Sequence, residues 1–190
     1  DGWRYLGEFS YVDTPVWRCL VEGVQVRKEI SVEQGTNTAA VCYEITNRSS
    51  RMCDFTVTPF FQFTPKGSEP KPSQVFEREE GCVRSNGLSL YFWTDAEVKE
   101  IPEISEVYFY SYDDCDGRRP TGLAKANHRI CKTVNPGEKC RLELVYSMET
   151  TEKKAASILA GHRAYRTKLE ELAGVSPALA AFLAKRAHNI

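Results

Sequence analysis

Val24-Gln-Val-Arg-Lys-Glu-Ile-Ser-Val32, then Glu33-Gln-Gly-Thr-Asn37, then Thr38-Ala-Ala-Val-Cys-Tyr-Glu-Ile45, is the passage on which the fold turns. Val24, Val26, Ile30 and Val32 fall on one face of an extended chain, and Gln25, Arg27, Glu29, Ser31 and Glu33 on the other. Side chains alternate with period two only in a strand, so this pattern predicts a half-buried one, with Lys28 the polar intruder on its apolar side. Gly35 and Asn37 can take the positive φ of a turn, and the alternation then resumes as Ala39, Val41, Tyr43 and Ile45. The two arms read as a β-hairpin.

Outward from this hairpin the same writing continues. Gly2 to Phe9 and Val16 to Val21 are expected as strands, the latter entered through Pro15, where a missing N–H does least harm. Cys53, Phe55, Val57, Pro59, Phe61 and Phe63 alternate as one long strand with an aromatic inner face, and Pro59 argues that it lies at an edge or carries a bulge. Thr64 to Ser73, rich in proline, glycine and serine, reads as an exposed loop, and Asn86-Gly87 is a strong hairpin signal between Cys82-Val83 and Leu88, Leu90 and Phe92. Glu97 to Glu106 is expected to be a connection, Val107 to Tyr112 a strand with tyrosines on one face, and Asp113 to Asn127 an irregular polar excursion. Arg129 to Thr133 and Cys140 to Met148 complete a set of roughly nine strands with no helix between them. The reading for 1–149 is therefore a mainly β protein, an antiparallel β-sandwich.

At Thr150 the period changes. Thr150 or Thr151 can cap a helix whose stripe is Ile158, His162, Tyr165, Leu169 and Leu172, with Gly174 as its stop. Ser176-Pro177 then opens a second helix through Leu179, Phe182, Leu183 and Arg186, so that 150–190 reads as two helices bracing the sandwich or bridging to something beyond it.

Composition narrows the function. A chain of 190 residues, 42% hydrophobic, supports one sizeable core with an appendage. A net charge of -1 gives no field that would gather a polyanion, so nucleic acid is not an expected partner. No apolar run approaches the ~20 residues that span a bilayer, and no membrane partner is expected. The seven cysteines are odd in number, form no C-x-x-C pair and sit mostly at apolar strand positions. They point to a reducing, cytoplasmic setting, and neither a metal nor a cofactor is expected.

Catalytic motifs are absent from the text. His128, His162 and His188 have no nucleophile elbow beside them, and no glycine-rich phosphate loop appears. Glycoside hydrolysis needs two facing carboxylates, for which Asp113, Asp114 and Asp116 are the nearest material, although acids clustered on a loop read as readily as solvated side chains. Trp93, Tyr108, Tyr110 and Tyr112 could stack on sugar rings, or could pack the sheet with hydroxyls reaching water. No catalytic residue is assigned.

Several segments in order, Gly2 to Phe9 (Gly-Trp-Arg-Tyr-Leu-Gly-Glu-Phe), Pro15-Val-Trp17, Lys28-Glu-Ile30 with Gly35-Thr-Asn-Thr38 (the stretch at Gly35 to Thr38), Asp116-Gly-Arg118 and Asn135-Pro-Gly-Glu138, resemble the N-terminal region of bacterial and archaeal glycogen debranching enzymes of the amylo-α-1,6-glucosidase type. The resemblance implies a β-supersandwich joined by linker helices to an α/α toroid that carries the catalytic carboxylates and hydrolyses α-1,6 branch points. It implies further strands before Asp1, the toroid after Ile190, and a chain that is itself non-catalytic. The partners implied are that toroid and branched α-glucan, with Asp113, Asp116 and Arg118 on the loop facing the toroid. An autonomous carbohydrate-binding module using Trp93 and the tyrosines, or a structural or oligomerisation domain, are the alternatives. If upstream strands are missing, an unpaired sheet edge is expected to promote self-association.

Overall fold

The structure, a computed structural model, describes residues 2–65, 68, 70–109, 111–117, 120–149, 155–176 and 178. A 3-10 turn at Gly2–Tyr5 leads into β1 (Leu6–Tyr11), β2 (Pro15–Val21), β3 (Val24–Val32), β4 (Thr38–Asn47) and β5 (Cys53–Val57). After a loop come β6 (Glu77–Glu79), β7 (Cys82–Ser85), β8 (Leu88–Thr94), β9 (Glu97–Phe109), the short helix α1 (Ser111–Cys115), β10 (Thr121–Val134), β11 (Lys139–Ser147) and α2 (Ala155–Val175). The strands form two antiparallel sheets, one in the order β1-β2-β3-β4-β11-β8-β7-β6 and one in the order β5-β10-β9. The expected class, an antiparallel sandwich followed by helix, is what the chain adopts.

The deciding hairpin forms in the expected register, from Val24 opposite Asn47 to Val32 opposite Ala39. Gly35 supplies the positive φ of its loop, 83°, and Asn37 does not. β4 is central and covered on both sides. Val41, Tyr43 and Ile45 look toward the three-stranded sheet, in a cluster with Ile130, Val134, Leu142 and Leu144. Ala40 and Cys42 look the other way, against Val145 and, from α2, Ala155, Ile158 and Leu159. This second cover overturns part of the β3 reading: Glu29 and Ser31, expected in solvent, are buried, whereas Val32 is exposed. A helix laid on the expected solvent face hides its residues, and the buried charge is tolerated because it is paired.

Other expectations are corrected. The first strand starts at Leu6, after a 3-10 turn. The long strand proposed from Cys53 to Phe63 stops at Val57, two residues before Pro59, and resumes only as a single bridge between Phe61 and Lys125. Pro59 thus ends the ladder, and β5 is an edge strand. Glu97 to Glu106, expected as a connection, is most of the long strand β9. Its Pro102 is accommodated because β9 runs from Glu100 to Ile104 while β10 runs only from His128 to Ala126, a bulge that leaves the proline outside the ladder. The excursion from Asp113 to Asn127 is mostly ordered too, as α1 and the first half of β10, and the strand expected to reach Tyr112 ends at Phe109. Eleven strands are present among the described residues where about nine were read.

The stripe of α2 is packed at its start and uncovered later: Ile158 is buried while Tyr165 and Leu172 are exposed. The helix runs to Val175, one residue past Gly174. The proposed caps at Thr150 and Thr151, and the second helix beyond Pro177, lie outside the described residues.

Candidate functional site

The candidate interface is the far end of the β9–β10 ribbon. β9 and β10 pair up to Phe109 opposite Thr121, and α1 lies in the link between them. Side chains alternate, so Val107 and Phe109 share one face and are 71% and 62% exposed, unusual for large apolar groups. Tyr108 faces the other way. A Cβ built on Gly122 would come within 2.3 Å of its ring, so the tyrosine lies flat on bare backbone that only glycine provides. The Gln62 amide donates to the Tyr108 hydroxyl and also to the Leu123 carbonyl at 3.0 Å. The ribbon is therefore tied to the segment after β5.

Asp113 sits on α1 and Asp116 just after it, in the link that follows Phe109; Asp113 is half-buried and Asp116 exposed. Tyr110 and Arg118 lie outside the described residues, and Tyr112 lies on α1. The tyrosine face read from alternation is thus not assembled as a strand, because the period changes from two to helical at Ser111. Trp93 lies in the other sheet, on β8, packed against the cluster under α2.

Behind the tip a buried polar network anchors the loop before β6. Lys125 is 4% exposed, and its ammonium donates to the carbonyls of Pro72 and Gln74, each at 2.9 Å, and to Glu103 at 2.8 Å. Three donors meet three acceptors. Glu103 reaches it from the β9 bulge. Asn127 donates to the Phe76 carbonyl at 2.9 Å, which turns its oxygen to His128 Nδ1, also at 2.9 Å. His128 is fully buried, stacked between Phe92 at 4.9 Å and Phe61 at 5.8 Å. Burial, and secondarily the charge of Arg78, lower its pKa to about 4. It is a neutral core residue. Its sealed position gives a substrate no route to act on it as a base.

The other joint is between sheet and helix. Glu29 accepts from Thr14 at 2.5 Å, from Arg27 at 2.8 Å and from Arg163 of α2 at 2.7 Å. Burial pushes the carboxyl up, but these hydrogen bonds and the two guanidinium charges outweigh it and hold the pKa below the usual value. His162 places its ring nitrogens 3.2 Å from the Val32 carbonyl and 3.0 Å from that of Asp13. None of these partners was foreseen except His162 as a packed residue; an isolated glutamate on a polar strand face carries no signal that a distant helix will cover it.

Several clefts lie at the surface. The one between the loop at 64–75 and the β7–β8 hairpin, about 790 Å³, has Glu77 as its lining carboxylate among the described residues. Among the described residues no three His, Cys, Asp or Glu side chains gather as a metal-ligand set. No described helix is long and apolar enough to cross a membrane.

Against this geometry the comparison with known families is specific. The family model described as glycogen debranching enzyme N terminal matches residues 1–141. The chain belongs to that family. The match runs from β1 into β11, so the debranching-enzyme N-terminal domain takes in both sheets, while α2 lies past its end and still packs on the domain's central strands. No curated protein sequence matches the chain.

Proposed function

We propose that this debranching-enzyme N-terminal domain is a non-catalytic β-sandwich that packs on the catalytic α/α toroid of a cytoplasmic glycogen-debranching glycoside hydrolase and helps place branched α-glucan. The observation that carries the reading is the exposed pair Val107 and Phe109 at the ribbon tip, beside Asp113 and Asp116, within a chain of this family. Apolar groups displayed on a well-anchored ribbon are suited to burial against another domain, and the acidic residues can align that contact or meet sugar hydroxyls. Arg118 and the tyrosines at 110 and 112 belong to the same segment and are assigned to the same interface. Seven unbonded thiols suit a reducing cytoplasm.

The test has two parts. The chain alone, incubated with branched limit dextrin, is expected to release no glucose, and measurable turnover would show that chemistry resides here. Val107→Ser with Phe109→Ser is expected to weaken association with the separately produced catalytic domain by about tenfold or more, as loss of central apolar anchors does. Unchanged association would remove the ribbon from the interface.

A further inference from the structure

The cleft between the loop at 64–75 and the β7–β8 hairpin has both walls fixed from behind. Lys125 holds the carbonyls of Pro72 and Gln74, and the Gln74 amide donates to the Gln62 carbonyl at 3.0 Å and to the Ser85 hydroxyl at 2.9 Å. Ser85 in turn donates to the Val75 carbonyl at 2.7 Å, and Asn86, at the hairpin tip, donates to the Phe63 carbonyl at 3.0 Å. The loop is thus stitched to the hairpin. Burying an ammonium is costly, and what it secures here is a surface loop; a loop fixed on a rigid scaffold is a common carrier of a binding site. The lining is rich in hydroxyls and amides. Lys71, Ser73 and Glu77 are exposed, and their side chains make no hydrogen bond or ion pair among the described residues, so a donor, a hydroxyl and an acceptor stand free. Arg84 is already engaged, by Glu79 at 2.5 Å and by Ser89 at 3.3 Å. Two exposed aliphatic groups share the cleft, Val75 at 66% and Leu88 at 45%. Ser85 brings them together, since it bonds the Val75 carbonyl and lies opposite Leu88 in the hairpin.

We propose that this cleft is a subsite for a stretch of α-glucan, an inference that rests on the reading that the domain helps place branched α-glucan. A pyranose ring carries hydroxyls on its rim, each both donor and acceptor, and C–H groups on its faces. The rim matches Lys71, Ser73 and Glu77, and the faces match Val75 and Leu88. The volume of about 790 Å³ falls within the range of about 300–1,000 Å³ typical of small-molecule sites. Fixed walls spare part of the ordering cost of binding. An apolar ligand would strand the free polar groups. A phosphate would face the Glu77 carboxylate with Arg84 already neutralised by Glu79, so an anion is the poorer occupant. No aromatic ring lines the cleft among the described residues, so binding rests on hydrogen bonds and aliphatic contact and is expected to be weak.

Titration of the isotope-labelled chain with maltohexaose, followed by amide chemical shifts, is expected to move Gln74, Val75, Asn86, Gly87 and Leu88 saturably, with a dissociation constant between about 0.1 and 5 mM. The double variant Lys71→Ala with Glu77→Gln changes exposed side chains only and should raise that constant by about fivefold or more, while Val12→Ser, exposed on the β1–β2 loop, leaves it unchanged. Amide shifts outside the cleft report directly that each variant is folded. No saturable shift up to about 20 mM maltohexaose, equal weakening by Val12→Ser, or the same amides saturating with inorganic phosphate at lower concentration than with maltohexaose would overturn the subsite. Shifts confined to 107–117 would also overturn it, while leaving glucan placement by the domain standing. A chain that ignores glucan altogether removes both, and its association with the catalytic domain then decides the packing separately.

Discussion

His128 shows what a single residue's surroundings do to its chemistry. An unfolded chain holds a histidine with its ordinary pKa near 6.5, whereas the folded one is lowered to about 4 by burial between Phe61 and Phe92, with Arg78 adding to the effect. The unfolded state therefore binds the proton more tightly. Stability from this group is complete above about pH 6.5, is lost progressively as pH falls from there, and changes no further below about 4. Urea unfolding at a series of pH values should show that loss, and His128→Phe should flatten the dependence in this window even though it strands the Asn127 oxygen and lowers stability throughout. A histidine in a sequence can be a base, a ligand or a core residue; here the two flanking rings come from segments far away in the chain, so its role was not legible beside its neighbours.

Among elements, α2 illustrates how a surface becomes an interior. Its first turns cover Ala40, Cys42 and Val145, and its Arg163 completes the partners of Glu29. Replacing Glu29 by alanine removes the acceptor for Thr14, Arg27 and Arg163 together, with an expected cost of about 2–4 kcal/mol. Because the Glu29 pKa is depressed in the folded state, its contribution is present above the usual carboxylate pKa and is lost as pH falls through the folded value. Hydrogen exchange should accelerate first in α2, with β4 and β11 following, if the helix is what the glutamate holds. Equal acceleration across both sheets would show that Glu29 serves the sandwich instead. The helix itself was readable from its four- and three-residue spacing, but its docking was not: the residues it meets on β3 were written as a solvent face.

The whole molecule depends on a corner where the sheets join. Asn47, at the end of β4, is fully buried and donates to the carbonyl of Arg51 at 2.8 Å and to that of Val134 in β10 at 3.0 Å. Its side-chain oxygen accepts from the Ser49 amide and hydroxyl, and its backbone pairs with Glu138 and Gly137 in the turn between β10 and β11. Asn47→Asp would turn an oxygen toward two carbonyls, with an expected loss of about 2–4 kcal/mol at neutral pH, read as a lower urea midpoint with little change in the slope. A Phe109→Ser chain unfolding like the wild type would be the contrasting case, since that side chain lies outside the core.

By itself the sequence determined what depends on neighbours a few residues away: the Val24–Ile45 hairpin, the Asn86-Gly87 turn with both residues at positive φ, the free edge signalled by Pro59, and the start of a helical period after Thr150. These follow from side-chain alternation and backbone sterics, which act locally. Tertiary structure alone decided which polar residues are buried, where Pro102 is absorbed, how Gly122 makes room for Tyr108, and which apolar faces remain uncovered. Each of those is set by contacts between segments remote in the chain. Burial is a property of what lies opposite, and a strand does not encode its own cover.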